Sequence, residues 1–317
     1  MAKQKTIITN RIAFALLFVL CLGLPSKHVA ADENIFDLSH ARAALHYFEH
    51  PSAANISYVA FTDPTRKLTQ FYNANSVDTI NNANSTFEAT KLLLNNMPDT
   101  AQLNNVKALL THISDNEKRQ NQCVDKTLSH LPENTKFENP LYIVWADGIL
   151  ANEDSVINVA QTSMLDITNK LFGIRPQAIW TSCIHALHHA AMNKLNPTPF
   201  TPDNITKSEQ LLAYIEHITL FEGSAYYASN RDALAAININ QTLVRFTQFK
   251  AKFANKSEPI TDDDWLLFNH EFTTKKLGRD LGALMAAAID ENLGRQSLVR
   301  AYKGGAASFF QVYQGLN

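Results

Sequence analysis

From residue 32 onward the apolar positions recur mostly every three to four residues, the spacing of one helix face. The pattern predicts helices over Asp37 to His50, stopped by Pro51, and over Ser76 to Asn96, interrupted by the Asn-rich NNANS at 81–85. It predicts two more over Asp99 to Ile113 and Asn121 to Leu131. Near Pro140 the pattern changes. LYIVWAD (141–147) and SVINVAQ (155–161) are β-branched and aromatic, and GILANED between them has turn chemistry. They read as a short β-hairpin or two strands of a small sheet. Helical spacing then resumes over Gln177 to Leu195, Ser208 to Ser229 and Arg231 to Asn255. Thr261, followed by three aspartates, caps a helix from about Asp262. Gly278 to Leu293 ends at Gly294, and Gln296 to Tyr302 and Ala306 to Tyr313 close the chain. The expected fold is mainly α (α+β): one domain over 32–317, with a helical N-terminal part (32–140) and a small sheet before the histidine helix (141–317).

The first 31 residues break this pattern. Lys3, Lys5 and Arg11 precede the apolar run Ile12 to Leu24; Pro25 interrupts it, and HVAA ends in small residues. This is the layout of a signal peptide, so the protein is expected to be exported, periplasmic or secreted. The run is short for a membrane span, and no later stretch is apolar enough, so no stable span is expected after cleavage. Removing residues 1–31 removes four of the 28 basic side chains and none of the 30 acidic ones, leaving 24 against 30 and a net charge of −6. That balance argues against a nucleic-acid partner and against a cationic membrane-binding surface, and it identifies no partner. Two cysteines remain, Cys123 and Cys183, which could pair in an oxidising compartment; Cys183, two residues before His185, also carries a minor metal-ligand reading.

The chemistry concentrates in IWTSCIHALHHAAMNKL (179–195). On a helix Trp180, Ile184, Leu187, Ala191 and Leu195 form one buried stripe. His185 and His189 lie four apart and point the same way, so two imidazoles could grip one Zn²⁺ from one face. The bland reading, histidines packed in a helix, stays open for this pair. A second pair, His46 and His50, sits at a helix end before Pro51, where protonated imidazole suits the helix C-terminus. The next helix carries FEGSAYY (221–227), in which Glu222 could complete a two-histidine, one-glutamate set or simply face solvent. Tyr226, four residues on, shares its face and could donate to an oxyanion or pack locally.

HALHH followed by LFEGSAYY resembles the paired motifs of bacterial zinc-dependent peptidases of the zincin type with Glu as third ligand. LGRDLGALMAAAIDENLGRQSLVRAYKGGAASFFQVY (277–313) is similar to that family's closing segment, so the likeness covers about 141–317. It implies a zincin-like hydrolase domain, a peptide or protein substrate or ligand, a Zn²⁺ cofactor and His185, His189 and Glu222 as metal ligands. It also exposes a departure. The family's helix motif is H-E-x-x-H, and Ala186 stands where its Glu accepts a proton. Losing a general base costs about 10²- to 10⁴-fold in rate, so a weakly active metallopeptidase or a pseudoenzyme is expected. His188, Glu216 or His217 could substitute only if the fold brings one to the metal. The alternative is a metal-free helical binding or interaction module of the cell envelope.

Overall fold

The computed structural model describes residues 35–74, 85–146, 156–159, 162–198, 200–254 and 256–316. The proposed signal peptide, most of the NNANS break and the GILANED turn lie outside these residues. The fold is mainly α with one small sheet. In chain order come β1 (Phe36–Asp37), α1 (Ser39–Glu49), α2 (Ala53–Ala60), α3 (Asp63–Ala74), α4 (Thr86–Leu93), α5 (Thr100–Ser114) and α6 (Glu117–Leu128). The strands β2 (Leu141–Val144), β3 (Val156–Val159) and β4 (Thr162–Asp166) come next. After them come α7 (Lys170–Ile174), α8 (Ala178–Leu195), α9 (Ser208–Asn230), α10 (Ile239–Ala254), α11 (Asp262–Phe268), α12 (Leu277–Leu293), α13 (Arg295–Lys303) and α14 (Gly305–Gln314).

The local chemistry explains most boundaries. Asp37 belongs to β1 rather than to the first helix, and its Oδ1 accepts the Ser39 amide. Ser52, Ser85 and Asp99 each cap a helix by accepting the amide three residues on. Thr261 and Asp264 form a capping box at α11, as the Thr-Asp-Asp-Asp run predicts. The helices α2 and α3 were not predicted from the apolar pattern. The predicted helix from Arg231 opens instead as a 3₁₀ segment over Arg231–Ala236. Between α11 and α12 the chain forms a π-helical turn over Asn269–Thr274.

Of the two expected arrangements, a hairpin or two strands of a small sheet, the second is observed: β2 and β3 belong to one sheet and do not pair with each other. The strand order is β1-β2-β4-β3, with β4 lying between them. β2 pairs parallel with β4 (Tyr142 opposite Met164, Val144 opposite Asp166), and β4 pairs antiparallel with β3 (Val156 opposite Leu165). Only two residues separate β3 from β4, a common hairpin length. TSMLD, which forms β4, is buried at every position, so it lacks the alternation that marks a half-exposed strand.

Two apolar cores result. One packs β2, β4 and helices α1 to α6 around Trp145, Ile143 and Leu165. The other packs the last six helices around Tyr227, Phe253 and Phe309. The helix α8 belongs to both: Ile179 to Leu187 lie in the first and Ala191 and Met192 in the second. It therefore crosses the seam of the molecule. On the far side α9 packs most extensively against α12. A Cβ on Gly282 would lie 1.9 Å from the Thr219 carbonyl oxygen, and one on Gly223 2.3 Å from the Gly282 Cα. Only glycine permits this approach. The glycine at 223 thus serves the α9–α12 contact.

Candidate metal centre

The expected stripe on α8 is buried, with Trp180, Ile184, Leu187 and Ala191 all below one-tenth exposure. It fixes the helix and with it His185 and His189, which are themselves buried. Ser163 of β4 donates its hydroxyl to the Ala186 carbonyl at 2.7 Å, tying the middle of the helix to the sheet. A disulfide between Cys123 and Cys183 ties its first half to α6. That bond removes the metal-ligand reading of Cys183, whose sulfur is already committed.

The Nε2 atoms of His185 and His189 approach to 2.8 Å, one ring donating to the other, and the rings cross edge to face. A Glu222 Oε2 from α9 lies 3.8 Å from the first and 3.5 Å from the second. Ligands held about 2.0–2.1 Å from a tetrahedral Zn²⁺ stand about 3.4 Å apart. The three separations bracket that value. His185, His189 and Glu222 could therefore hold a metal ion, and they form one compact group of donors. The donor set fits zinc: two imidazole nitrogens and one carboxylate, with a fourth position left over.

The electrostatics suit the same purpose. Burial alone would raise the Glu222 carboxyl. His189, by charge and hydrogen bond, then His185 and Lys276 outweigh it and hold the pKa at about 2. The group is an anion across the working pH range. Lys276, at the start of α12 in the left-handed backbone region (φ 55°), had no sequence signal pointing to it. His189 stacks on Phe221 at 4.1 Å between centroids, which steadies its ring.

The other candidates fall elsewhere. His188 is fully buried against Tyr302, and neither of its ring nitrogens finds a hydrogen-bond partner. Burial, then the neighbouring histidines, drives its pKa well below the usual value. It does not join the converging donors. Tyr226 is half-buried one turn from Glu222, with the Arg279 guanidinium 4.3 Å over its ring. Glu216 pairs with Lys250, and His217 stacks on the far side of Phe221. His270 is exposed, and Glu271 pairs with Arg245.

With this geometry in place, comparison with known families becomes informative. Residues 61–316 match the family described as "Putative zinc dependent peptidase (DUF5700)". The chain belongs to that family. Membership reaches much further upstream than the motifs at 141–317 implied, taking in all of α3 to α6. No curated protein and no solved structure matches the chain. Among the described residues no helix is long and apolar enough to cross a membrane. The family description says "putative zinc dependent", and the trio on α8 and α9 is a group of donors that could hold a metal ion.

Proposed function

We propose that this is an exported, zincin-like zinc metallopeptidase homologue in which His185, His189 and Glu222 bind Zn²⁺ and turnover is weak or lost. The observation that carries this reading is the meeting of two Nε2 atoms and one ionised carboxylate within 3.8 Å. A bound Zn²⁺ would supply Lewis acidity toward a peptide carbonyl. The remaining work falls to the chain's own residues. His185 and His189 would hold such an ion through their imidazole nitrogens, and Glu222 would offset one unit of its charge. Tyr226, on the same face of α9, would be the group to donate to a developing oxyanion.

At the helix position where the H-E-x-x-H motif carries its proton acceptor, this chain has Ala186. Ala186 has no exposed surface and packs in the sheet-side core. No methyl group can take a proton, and His188, the next nearest candidate, is enclosed against Tyr302. The expected peptidase rate is therefore lower by about 10²- to 10⁴-fold than with a positioned base. The metal-free helical binding module remains the second reading, because the 2.8 Å ring-to-ring hydrogen bond engages the Nε2 atoms of both histidines without an ion.

Metal analysis of the purified mature chain separates the two. About one zinc per chain, lost on Glu222→Gln with His185→Ala, supports the proposal. A metal-free protein whose unfolding ignores added zinc overturns it. Peptidase assays on the zinc-loaded protein then score turnover. Ala186→Glu should raise the rate if only the base is missing; an unchanged rate in a folded, zinc-loaded variant would mean the cleft has diverged as well.

A further inference from the structure

A cavity of about 910 Å³ is walled by α5, α6, the first turns of α8 and the end of α9; His185, His189 and Glu222 do not line it, but it shares α8 and α9 with them. Its position follows from helix spacing. Thr181 and Ile184 line it and stand one turn before and directly beside His185 in the sequence of α8. Ser229 lines it from α9, seven residues after Glu222 and hence on the same face. At 1.5 Å rise per residue its lining residues lie about 2 to 12 Å back along α8 from His185 and about 10 Å on along α9 from Glu222. An extended peptide advances about 3.3 Å per residue. A chain whose carbonyl lay at the metal centre would place its second or third residue onward in this cavity.

The wall opposite α8 carries charge. Arg119, Cys123 and Lys126 follow one face of α6 at spacings of four and three, and all three line the cavity. The disulfide from Cys123 to Cys183 joins that face directly to the helix that bears His185. Arg119 and Lys126 are exposed and form no ion pair among the described residues. Arg119 only donates to Gln122 at 3.4 Å. Asp125 is the one acid among the lining residues, so the cations outnumber it. The floor is aromatic: Trp180 donates its indole N–H to His112 at 3.2 Å, leaving a firm apolar surface between the polar walls.

We propose that this cavity is a subsite for a carboxylate-bearing peptide residue, held by Arg119 and Lys126 over the Trp180–His112 floor. The proposal deepens the zinc-peptidase reading and rests on it for the direction of the bound chain. Its chemistry is a carboxylate, supplied either by an Asp or Glu side chain or by the peptide's own C-terminus. Two cations in a walled cavity favour such a group over a neutral one of the same shape. The disulfide keeps the cationic face at a fixed distance from α8, so the subsite is preformed.

The test is fluorescence anisotropy with labelled hexapeptide libraries on the mature full chain, with and without added zinc. One arm compares fixed Glu with fixed Gln at each position; the other compares free-acid with amidated C-termini. The expected result is about tenfold tighter binding in one of these arms, reduced to twofold or less in Arg119→Gln/Lys126→Gln, whose zinc content stays at the wild-type level. Both positions are exposed, so the variant should fold, and zinc content with circular dichroism checks that it does. No carboxylate preference in either arm, or a preference that survives the double substitution, overturns the subsite. Zinc content is read independently in the same samples, so failure of the metal site is scored separately from failure of the subsite.

Discussion

Two histidine pairs with identical spacing occur in this protein and have opposite surroundings. His46 and His50 lie at the exposed end of α1, with ring centroids 5.1 Å apart. The nearest acid in sequence, Glu49, is paired with Lys107. His185 and His189 lie in the middle of a buried helix, with centroids 4.5 Å apart and a carboxylate from another helix facing both. Spacing aligns two rings. What turns an aligned pair into a candidate site is an anchored helix beneath and a third donor brought in by tertiary structure. Here the anchors are Ser163, the Cys123–Cys183 bond and the apolar stripe, and the third donor is carried by the helix clamped at Gly223 and Gly282.

The sharpest way to break the comparison is to delete donors. His185→Ala or His189→Ala should weaken zinc binding by more than about 100-fold, since even partners of ligands cost 10- to 100-fold. His46→Ala with His50→Ala should leave it unchanged; competition with a chelating dye reads both. If the helix-end pair mattered equally, the contrast would be void.

The anchors come next. Cys123→Ser with Cys183→Ser opens a link across 60 residues and should cost about 2–4 kcal/mol in denaturant unfolding. It should also loosen zinc, because the free end of α8 lies next to His185. A stability loss without any change in zinc affinity would show that the disulfide supports the fold and not the site.

The helix that carries the exposed pair also carries a buried histidine, His40, which sharpens the contrast between burial with and without an anion in contact. Burial, opposed in part by Asp37, lowers its pKa to about 4, and its Nδ1 accepts the Trp145 amide. In the unfolded chain the group titrates near 6.5. Above 6.5 both states are neutral and the folded state is at full stability. Between 6.5 and about 4 only the unfolded state takes the proton, so stability falls as pH falls, by up to about 3 kcal/mol. His130, lowered to about 4 chiefly by burial, acts in the same direction. Urea unfolding at pH 7 and pH 4.5 should show the loss, and His40→Gln should reduce its slope. A slope equal to wild type in that variant would assign the effect to other groups.

The smallest effect concerns the clamp. Gly282→Ala places a methyl against the Thr219 carbonyl and should cost about 1–3 kcal/mol, as overpacking does. Because α9 carries Glu222, zinc affinity should fall with it. Unchanged affinity would mean that Glu222 is positioned from the α8 side alone.

Much of this was legible in the chain. The stripe Trp180 to Ala191 announced α8, and Thr261 and Gly294 marked the boundaries they occupy. The spacing of His185 and His189, read with Glu222, singled out the three donors that meet. The sheet order was hidden because β4 is buried on both faces and shows no alternation. The role of Gly223 was not legible, because a small residue records a close approach without naming the neighbour. Lys276 and the cavity walls could not be read at all: they become neighbours of the site only through the packing of α12 and α6, which lie far away in sequence.

The central claim is that His185, His189 and Glu222 share one ion. Anomalous diffraction at the zinc edge tests it directly. The account predicts one peak per chain, about 2 Å from the two Nε2 atoms and a Glu222 oxygen. A zinc-soaked crystal with no peak there, or with its peak at His46 and His50, would contradict it.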